Sequence, residues 1–418
     1  MTEPVVLEAQ GLIDDPKLAN RRSLGMSFRK VWLSVAISSS GDGMFLTAFP
    51  LLALTVTQDP LLIAGVTVAS RLPWLFFSMV TGAIADRMDR RSLMVAADIA
   101  RFAVVAVLGA VIVGGLASVP ILYGCAFLLG LSETVHTNSA QAILPTIVRR
   151  ADLMQANARL GSIQVATAQF VGPPIGTILF GIAASLPFFA DAVTFAGSAA
   201  LVATMPDEHA VEPPTTRLRD DVREGVRFMI HHPVLRRLAV LLGVVNFFYF
   251  AAESLLVLFT AQRLHSGRFV YTLLFIAAAT GTVVSRWLVT AMVRRVGFVR
   301  TISVSFWTWA VTMVGLSCTT SPAAAIGLFF ALGIGNGLWT ALANTVRQQL
   351  TPNRLLGRMN AAYRTVAWGV VPFGAAFGGL SAQLFGIRAP FIVAGVAHVV
   401  VACFALRLLR PVRGAGFD

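Results

Sequence analysis

Charge is scarce in this chain: Lys, Arg, Asp and Glu together make up 13% of its 418 residues, against 56% apolar residues and a mean hydropathy of +0.75. That scarcity excludes an ordinary soluble domain, in which roughly a quarter of residues are charged. Cysteine is rarer still. Cys125, Cys318 and Cys403 lie far apart, each inside an apolar run, so metal-ligand spacing is excluded and they read as packing residues. His231 and His232 adjoin Pro233 in a polar connection and read as solvated loop residues rather than ligands. No metal or cofactor is expected. Enzyme signatures are also missing: there is no nucleophile elbow, no HExxH and no carboxylate cluster at a membrane face. No soluble sensor domain is expected.

What the chain has in abundance is apolar runs long enough to cross a bilayer, which takes about 20 residues per helix. They fall at Val31 to Thr57, Leu61 to Ile84, Leu93 to Gly115, Ile121 to Val148, Leu153 to Ala184, Phe188 to Thr204, Leu238 to Gln262, Phe269 to Val293, Thr301 to Cys318, Ala323 to Val346, Met359 to Phe385, and Ala389 to Leu409. The expected fold is an all-α membrane protein, twelve transmembrane helices in two pseudo-symmetric six-helix halves. Residues 1–30 form an arm, 31–204 the first bundle, 205–233 a linker, 234–409 the second bundle and 410–418 a tail.

The arm is polar and holds no apolar run followed by a small-residue cleavage site, so the first span is expected to stay in place. Basic residues collect in the arm, the even-numbered connections and the tail, whereas Arg263, Arg268 and Arg388 lie in the other connections. Because Lys and Arg are retained on the cytoplasmic side, both termini are expected there. This asymmetry accounts for most of the net charge of +13, which would otherwise suggest nucleic acid. The expected partners are a small-molecule substrate, protons and the lipid bilayer, with no nucleic acid, for a multi-pass monomer in a bacterial plasma membrane.

The linker opens with Pro206, Pro213 and Pro214, then places Leu218, Val222, Val226 and Met229 at helical spacing with Asp220, Asp221, Arg223 and Arg227 on other faces. That pattern predicts a surface-lying amphipathic helix tethering the halves. The halves also repeat. Leu153 to Arg159 (LMQANAR) opens the fifth span and Leu356 to Ala362 (LGRMNAA) opens the eleventh, each followed by a Gly/Pro-rich stretch: Gly172-Pro173-Pro174-Ile-Gly176, and Pro372 through Gly374 to Gly378-Gly379. Repeated halves with interrupted helices at matching positions point to alternating access around a site at their interface.

Gly82 to Arg91 (GAIADRMDRR) is a charge-dense loop between the second and third spans. Gly82 permits backbones to approach, Asp86 suits the positive end of a neighbouring helix, and Arg87, Arg90 and Arg91 suit acids or lipid phosphates. Contacts of that kind form in one conformation and break in the other, which makes the loop a latch. Gly82-x-x-x-Asp86-Arg87-x-x-Arg90-Arg91 resembles the cytoplasmic loop signature of the major facilitator superfamily. Gly41-Asp42-Gly43, Arg71-Leu-Pro73-Trp74 and Asn360-Ala-Ala-Tyr363-Arg364-x-Val-Ala-Trp368-Gly369 resemble its bacterial enterobactin-exporter-like and drug-exporter branch. The resemblance implies that Asp86 contacts the start of the eleventh span, near Gly357 to Asn360, when the cytoplasmic side closes. Gly172-Pro173-Pro174-Ile-Gly176 resembles a reduced form of the superfamily's antiporter bend. Three departures stand out: Asp89 replaces a small residue in the loop, the second-half copy Thr290 to Gly297 has no acid, and the fourth span lacks the Arg tied to coupling in proton-driven relatives.

An ionisable group near the bilayer centre costs roughly 2.5 to 3.5 kcal/mol on insertion scales, so such groups face a cavity or a partner. Asp42, flanked by glycines in the first span, reads either as a proton site or as the ion partner of Arg71 in the second. Glu133 and Glu253 are central, one in each half. Asn246, Tyr249 and Glu253 share a helix face that suits a cavity wall, with interhelical bonding as the alternative. Asp98 and Arg101, three apart, read as a local ion pair supporting the latch. Arg159 and Arg364, near the cytoplasmic ends of their spans, read as snorkelling residues. Gln164, Gln169, Asn336 and Trp339 are further cavity candidates, and Arg286 is a potential partner of Glu253. Together these features predict a secondary transporter exporting a small amphiphile, such as a drug, siderophore or secondary metabolite, by proton antiport; uptake on the same fold is the alternative.

Overall fold

The computed structural model describes residues 24–149, 152–206, 218–352 and 355–408, and every regular element among them is helical. Apolar runs become helices because a chain in hydrocarbon must satisfy its own backbone polar groups. The first four spans are helices Met26–Val56, Pro60–Arg87, Arg90–Val113 and Val119–Ile147. Their starts are set by local chemistry. Asp59 caps the second span, its carboxylate accepting from the N–H groups of Leu61 (2.8 Å) and Leu62 (3.2 Å), and Pro60 fills a position where no N–H is needed. The unexpected Asp89 of the loop has the same job for the third span, accepting from the Ser92 N–H at 2.8 Å. Burial alone pushes the Asp89 carboxyl upward, but the Ser92 and Arg91 hydrogen bonds and the Arg91 charge outweigh it and hold it below the usual carboxylate range.

The fifth span runs Leu153–Ile182 with a π-helical stretch, Ala166–Val171, in its middle. Pro173 and Pro174 lack the N–H groups that Gln169 and Phe170 would need, and the widened turn absorbs the mismatch. The eleventh span is interrupted at the matching place, into Leu356–Gly369 and Val371–Phe385, with Pro372 just past the break. The seventh span, expected to be continuous, is also broken: Pro233–Glu253 stops where the Ser254 hydroxyl bonds back to the Ala251 carbonyl, and Leu256–Gln262 resumes beyond. The other spans are Leu186–Ala203, Arg268–Val296, Phe298–Cys318, Pro322–Leu350 and Ala389–Leu408. Among the described residues eleven helices are long and apolar enough to cross a membrane, and the twelfth span supplies a shorter apolar stretch, Ala389–Ala405.

The first and third spans pack on the sixth, and the second and third on the fourth; in the second half the eighth pairs with the tenth, the ninth with the tenth and twelfth, and the seventh with the eleventh. Small residues make these approaches possible, as expected where lipid offers no hydrophobic drive between helices. A methyl on Gly172 would lie 2.5 Å from the Ser40 carbonyl, and one on Gly176 2.6 Å from that of Met44, so the fifth span lies directly on the first. Gly374 and Gly378 repeat the arrangement against Phe247 and Ala251 of the seventh. Exposed apolar side chains, among them Phe76, Val107, Trp287 and Phe385, face outward as a lipid surface requires.

The linker helix, Leu218–His231, does not lie free on a surface. Met229 is buried with Val226 against the second-half core, Arg358 of the eleventh span donates to Glu224, and Gly225 sits so close to the Arg358 backbone that a methyl would stand 2.5 Å from its carbonyl. The missing side chain at Gly225 converts an expected surface helix into a docked one. The arm through residue 23, linker residues 207–217 and the tail from 409 lie outside the described residues, as do the side chains of Leu218 to Val222.

The halves meet at the end opposite the Gly82–Arg91 loop. There the second span packs on Val371–Phe385 of the eleventh, and the fifth on the eighth. Thr177 and Thr272 share a hydrogen bond, Gln383 donates to Asp59 (3.4 Å), the Arg268 guanidinium covers Gly181, and a methyl on Gly379 would stand 2.8 Å from Ala64. Close packing between the first and fifth spans yields a stability prediction. A methyl at Gly43 would lie 2.5 Å from the Ala168 carbonyl, so Gly43→Leu is expected to cost about 1 to 3 kcal/mol, read as an earlier thermal unfolding transition of the purified protein, while Gly161→Ala, in open space, leaves it unmoved.

Candidate functional site

The polar residues inside the bundle separate into a buried cluster in the first half and a layer on the seam between halves. The cluster is centred on Asp98 of the third span, which is fully buried. Its Oδ2 accepts from the Ser198 hydroxyl at 2.6 Å, Ser198 is 2.9 Å from the Ser34 hydroxyl, and its Oδ1 faces the Arg101 guanidinium at 3.8 Å and His136 Nε2 at 3.6 Å. The expected Asp98–Arg101 pair therefore exists, but it ties four helices together in the interior instead of propping up the loop. Arg101 also stacks over Phe195 at 5.2 Å.

Asp191 of the sixth span joins this cluster and carried no warning in the sequence beyond being an acid in an apolar run. Gly41 lets the first and sixth spans close on each other at Asp191 and Thr194, and the Thr194 hydroxyl bonds both the carbonyl (2.7 Å) and the carboxylate (3.3 Å) of Asp191. Asp42, the next residue, is deep in the bundle yet its side chain is exposed, the combination that a cavity wall produces. Its electrostatic partners are Arg101, Glu133, Asp98 and Asp191. Arg71 is not among them. Arg71 is instead electrostatically coupled to Glu253 of the second half.

The seam layer holds Arg71, Trp74, Glu133, Glu253 and Arg364. Glu253 sits at the break of the seventh span beside Tyr249 and Tyr271. One turn along the second span from Arg71, the Trp74 indole donates to Glu133 Oε2 at 3.3 Å. Arg364 does not snorkel to an interface: its guanidinium lies 5.6 Å over the Trp74 ring and is electrostatically coupled to Glu133. The attraction of that ring and carboxylate draws the side chain inward. Arg286 is exposed on the eighth span, and its place as the partner of Glu253 is taken by Arg71.

Two of the expected cavity residues, Asn246 and Trp339, are taken up by packing. Asn246 donates to the Ala367 carbonyl at 2.6 Å, satisfying an oxygen in the last turn before the break of the eleventh span, so it serves helix packing. Trp339 is only 4% exposed and packs against Phe306 and Trp309 in the second-half core. Gln164, Gln169 and Asn336 are exposed. In the bend, Gly172 and Gly176 contact the first span and the Pro173 carbonyl accepts from Thr47 at 3.3 Å.

Around the loop, Arg91 donates to the Ala203 carbonyl and Lys30 to that of Thr204 (2.6 Å), two cations at the negative end of the sixth span. Arg90 is half-buried. The anticipated close backbone approach at Gly82 is absent among the described residues; the nearest atom to a methyl there would be the Asn138 amide at 3.8 Å, itself bonded to Thr81. The side chains of Asp86, Arg87 and Gly357 lie outside the described residues. Because Asp98 neutralises Arg101 in a dry interior, Asp98→Ala is expected to destabilise by about 3 to 5 kcal/mol, with most of the loss recovered on adding Arg101→Leu, measured as a double-mutant cycle of thermal unfolding.

The multidrug efflux pump Tap of Mycolicibacterium fortuitum is 24% identical over 384 residues, an alignment spanning 89% of this chain and 93% of that protein. Among solved structures, a bacterial homologue of the iron transporter ferroportin in its inward-facing state superposes with a TM-score of 0.75 at 15% identity, over 93% of this chain and 100% of that one. The outward-facing state of such a homologue superposes at 0.58, with 16% identity over 92% and 99%. The family model for transmembrane secretion effectors matches residues 24–415. With its helical membrane fold, repeated halves and polar seam, the chain belongs to the transmembrane secretion effector family and is a major facilitator superfamily transporter.

Proposed function

We propose that this transporter exports a small amphiphilic molecule from the cytoplasm in exchange for protons, with both termini and the Gly82–Arg91 loop cytoplasmic. The observation that carries the reading is that charged and aromatic side chains of the two halves meet inside the bundle, with Arg364 of the second half 5.6 Å over the Trp74 ring of the first, at the seam where alternating access requires contacts to form and break. A proton on Glu253 removes a negative charge coupled to Arg71 of the other half, which weakens the attraction across the seam. A proton on Asp42 acts on the first half, where the carboxylate is set among Arg101, Glu133 and Asp191 and remains open to the cavity. The packing of the second span on the eleventh and of the fifth on the eighth closes the far end, so cargo enters from the loop side in this state. The name of the Mycolicibacterium relative, a multidrug efflux pump, supports the outward direction. Asp86 is the latch residue of this scheme, and its neutralisation favours the state open to the loop side.

The test uses acid-loaded inverted vesicles, in which an antiporter releases protons when substrate is added outside. Asp42→Asn or Glu253→Gln is expected to reduce that release at least roughly tenfold while the purified variants keep the wild-type elution profile. Normal release in both variants removes the proton assignment, and substrate accumulation driven in the opposite sense by the imposed gradient removes the export direction.

A further inference from the structure

Trp74 and Glu133 form a receptor for a positive charge, and the structure already has one in it. The receptor is built by the first half alone. At Gly130 the fourth span lies against the second so tightly that a methyl would meet the Ser70 backbone and stand 3.3 Å from the Pro73 ring. That approach brings Glu133, one turn further along, to the Trp74 indole, whose N–H holds the carboxylate at 3.3 Å. An indole face beside a fixed carboxylate is a strong combination for a cation, one contributing its negative π-surface and the other its charge.

The charge that fills it comes from the other half. Arg364 lies on the Leu356–Gly369 part of the eleventh span, its guanidinium stands 5.6 Å over the Trp74 ring and is coupled to Glu133, and its side chain is exposed, so it reaches the ring across open space rather than from within a packed core. Arg71 lies one turn before Trp74 on the same span and is electrostatically coupled to Glu253. The present occupant of the box is tethered by a long side chain to a helix of the other half.

We infer that Arg364 is a built-in occupant of a cation subsite made by Trp74 and Glu133, and that the cargo is a lipophilic organic monocation whose charged group displaces Arg364. The inference rests on the transporter reading but not on its direction or its proton coupling. Displacement breaks a bridge between the halves and replaces it with a contact to the first half alone, so binding itself releases the eleventh span from the second. An occupied subsite lowers apparent affinity by the fraction of time the occupant is in place, which sets the sign of the test.

The test is equilibrium binding of tetraphenylphosphonium to the purified protein in neutral detergent, with tetraphenylborate as the anionic counterpart of the same shape. Wild type is expected to bind the cation and not the anion. Arg364→Ala is expected to tighten cation binding roughly fivefold by emptying the subsite, Arg364→Lys to stay near wild type, and Glu133→Gln and Trp74→Ala to weaken it about tenfold or more. Trp74→Phe, which keeps a ring but loses the indole N–H, falls between. Unchanged or weaker cation binding in Arg364→Ala overturns the inference, as does equal binding of the anion, or no cation binding in wild type and in Arg364→Ala. Because no gradient is present, failure of the export or antiport reading leaves these results intact, and proton-driven efflux by a protein lacking cation preference rejects the subsite alone.

Discussion

A charge in hydrocarbon needs a partner, and that requirement organises this molecule. With so few ionisable residues in the chain, those inside the membrane are concentrated in two places. Asp98 is the anchor of the first. Its two oxygens are met by Ser198, Arg101 and His136, which come from the sixth, third and fourth spans, while Ser34 of the first span reaches it through Ser198. The outcome is a first half cross-braced by a buried polar network. Such networks cost desolvation energy, and in this one Asp98 Oδ1 and His136 Nε2 face each other at 3.6 Å without a hydrogen-bond partner among the described residues.

The second half is braced differently. Its interior holds an aromatic cluster packed edge-to-face and tilted, Phe306, Trp309 and Trp339, with His398 edge-on to Trp309 and bonded to its own helix at the Ala394 carbonyl (2.6 Å). Halves that share a fold thus differ in what fills them. Charge on the second half is instead directed to the seam, as Glu253 toward Arg71 and Arg364 toward Trp74 and Glu133. Each of these couplings crosses between bodies that must separate, so a change in charge state or an arriving ion acts directly on the contact that has to move.

Much of this was legible in the residues. The span boundaries follow from apolar length, and the starts marked by Asp59 and Pro60 or by Ser321 and Pro322 follow from capping chemistry. The interruptions of the fifth and eleventh spans were written in their prolines. The pairing of ionisable groups was not legible. Depth along a helix placed Arg71 level with Asp42, but rotation about the helix decides which neighbour a side chain meets, and that depends on close approaches such as Gly41 on the sixth span. Arg364 departs from its expected place for the same reason, since its distance from the helix end points to an interface while the attraction lies inward at Trp74. Asp89 appeared to be a departure from a motif because motifs record one role; its backbone position gives it another, as a cap. The break in the seventh span had no proline or glycine to announce it, only Ser254 bonding backward.

The central claim is that the two halves are joined at the end opposite the loop in the resting protein and that cargo releases them. Leu62 and Leu384, both exposed, lie on the second and eleventh spans that meet there. Spin labels at these two positions report the separation directly by pulsed electron resonance. The account predicts one short distance in the substrate-free protein and a longer population that grows with added organic cation, with the reverse change for a pair near the loop. A far end already separated without cargo, or a separation that cargo leaves unchanged, would contradict it.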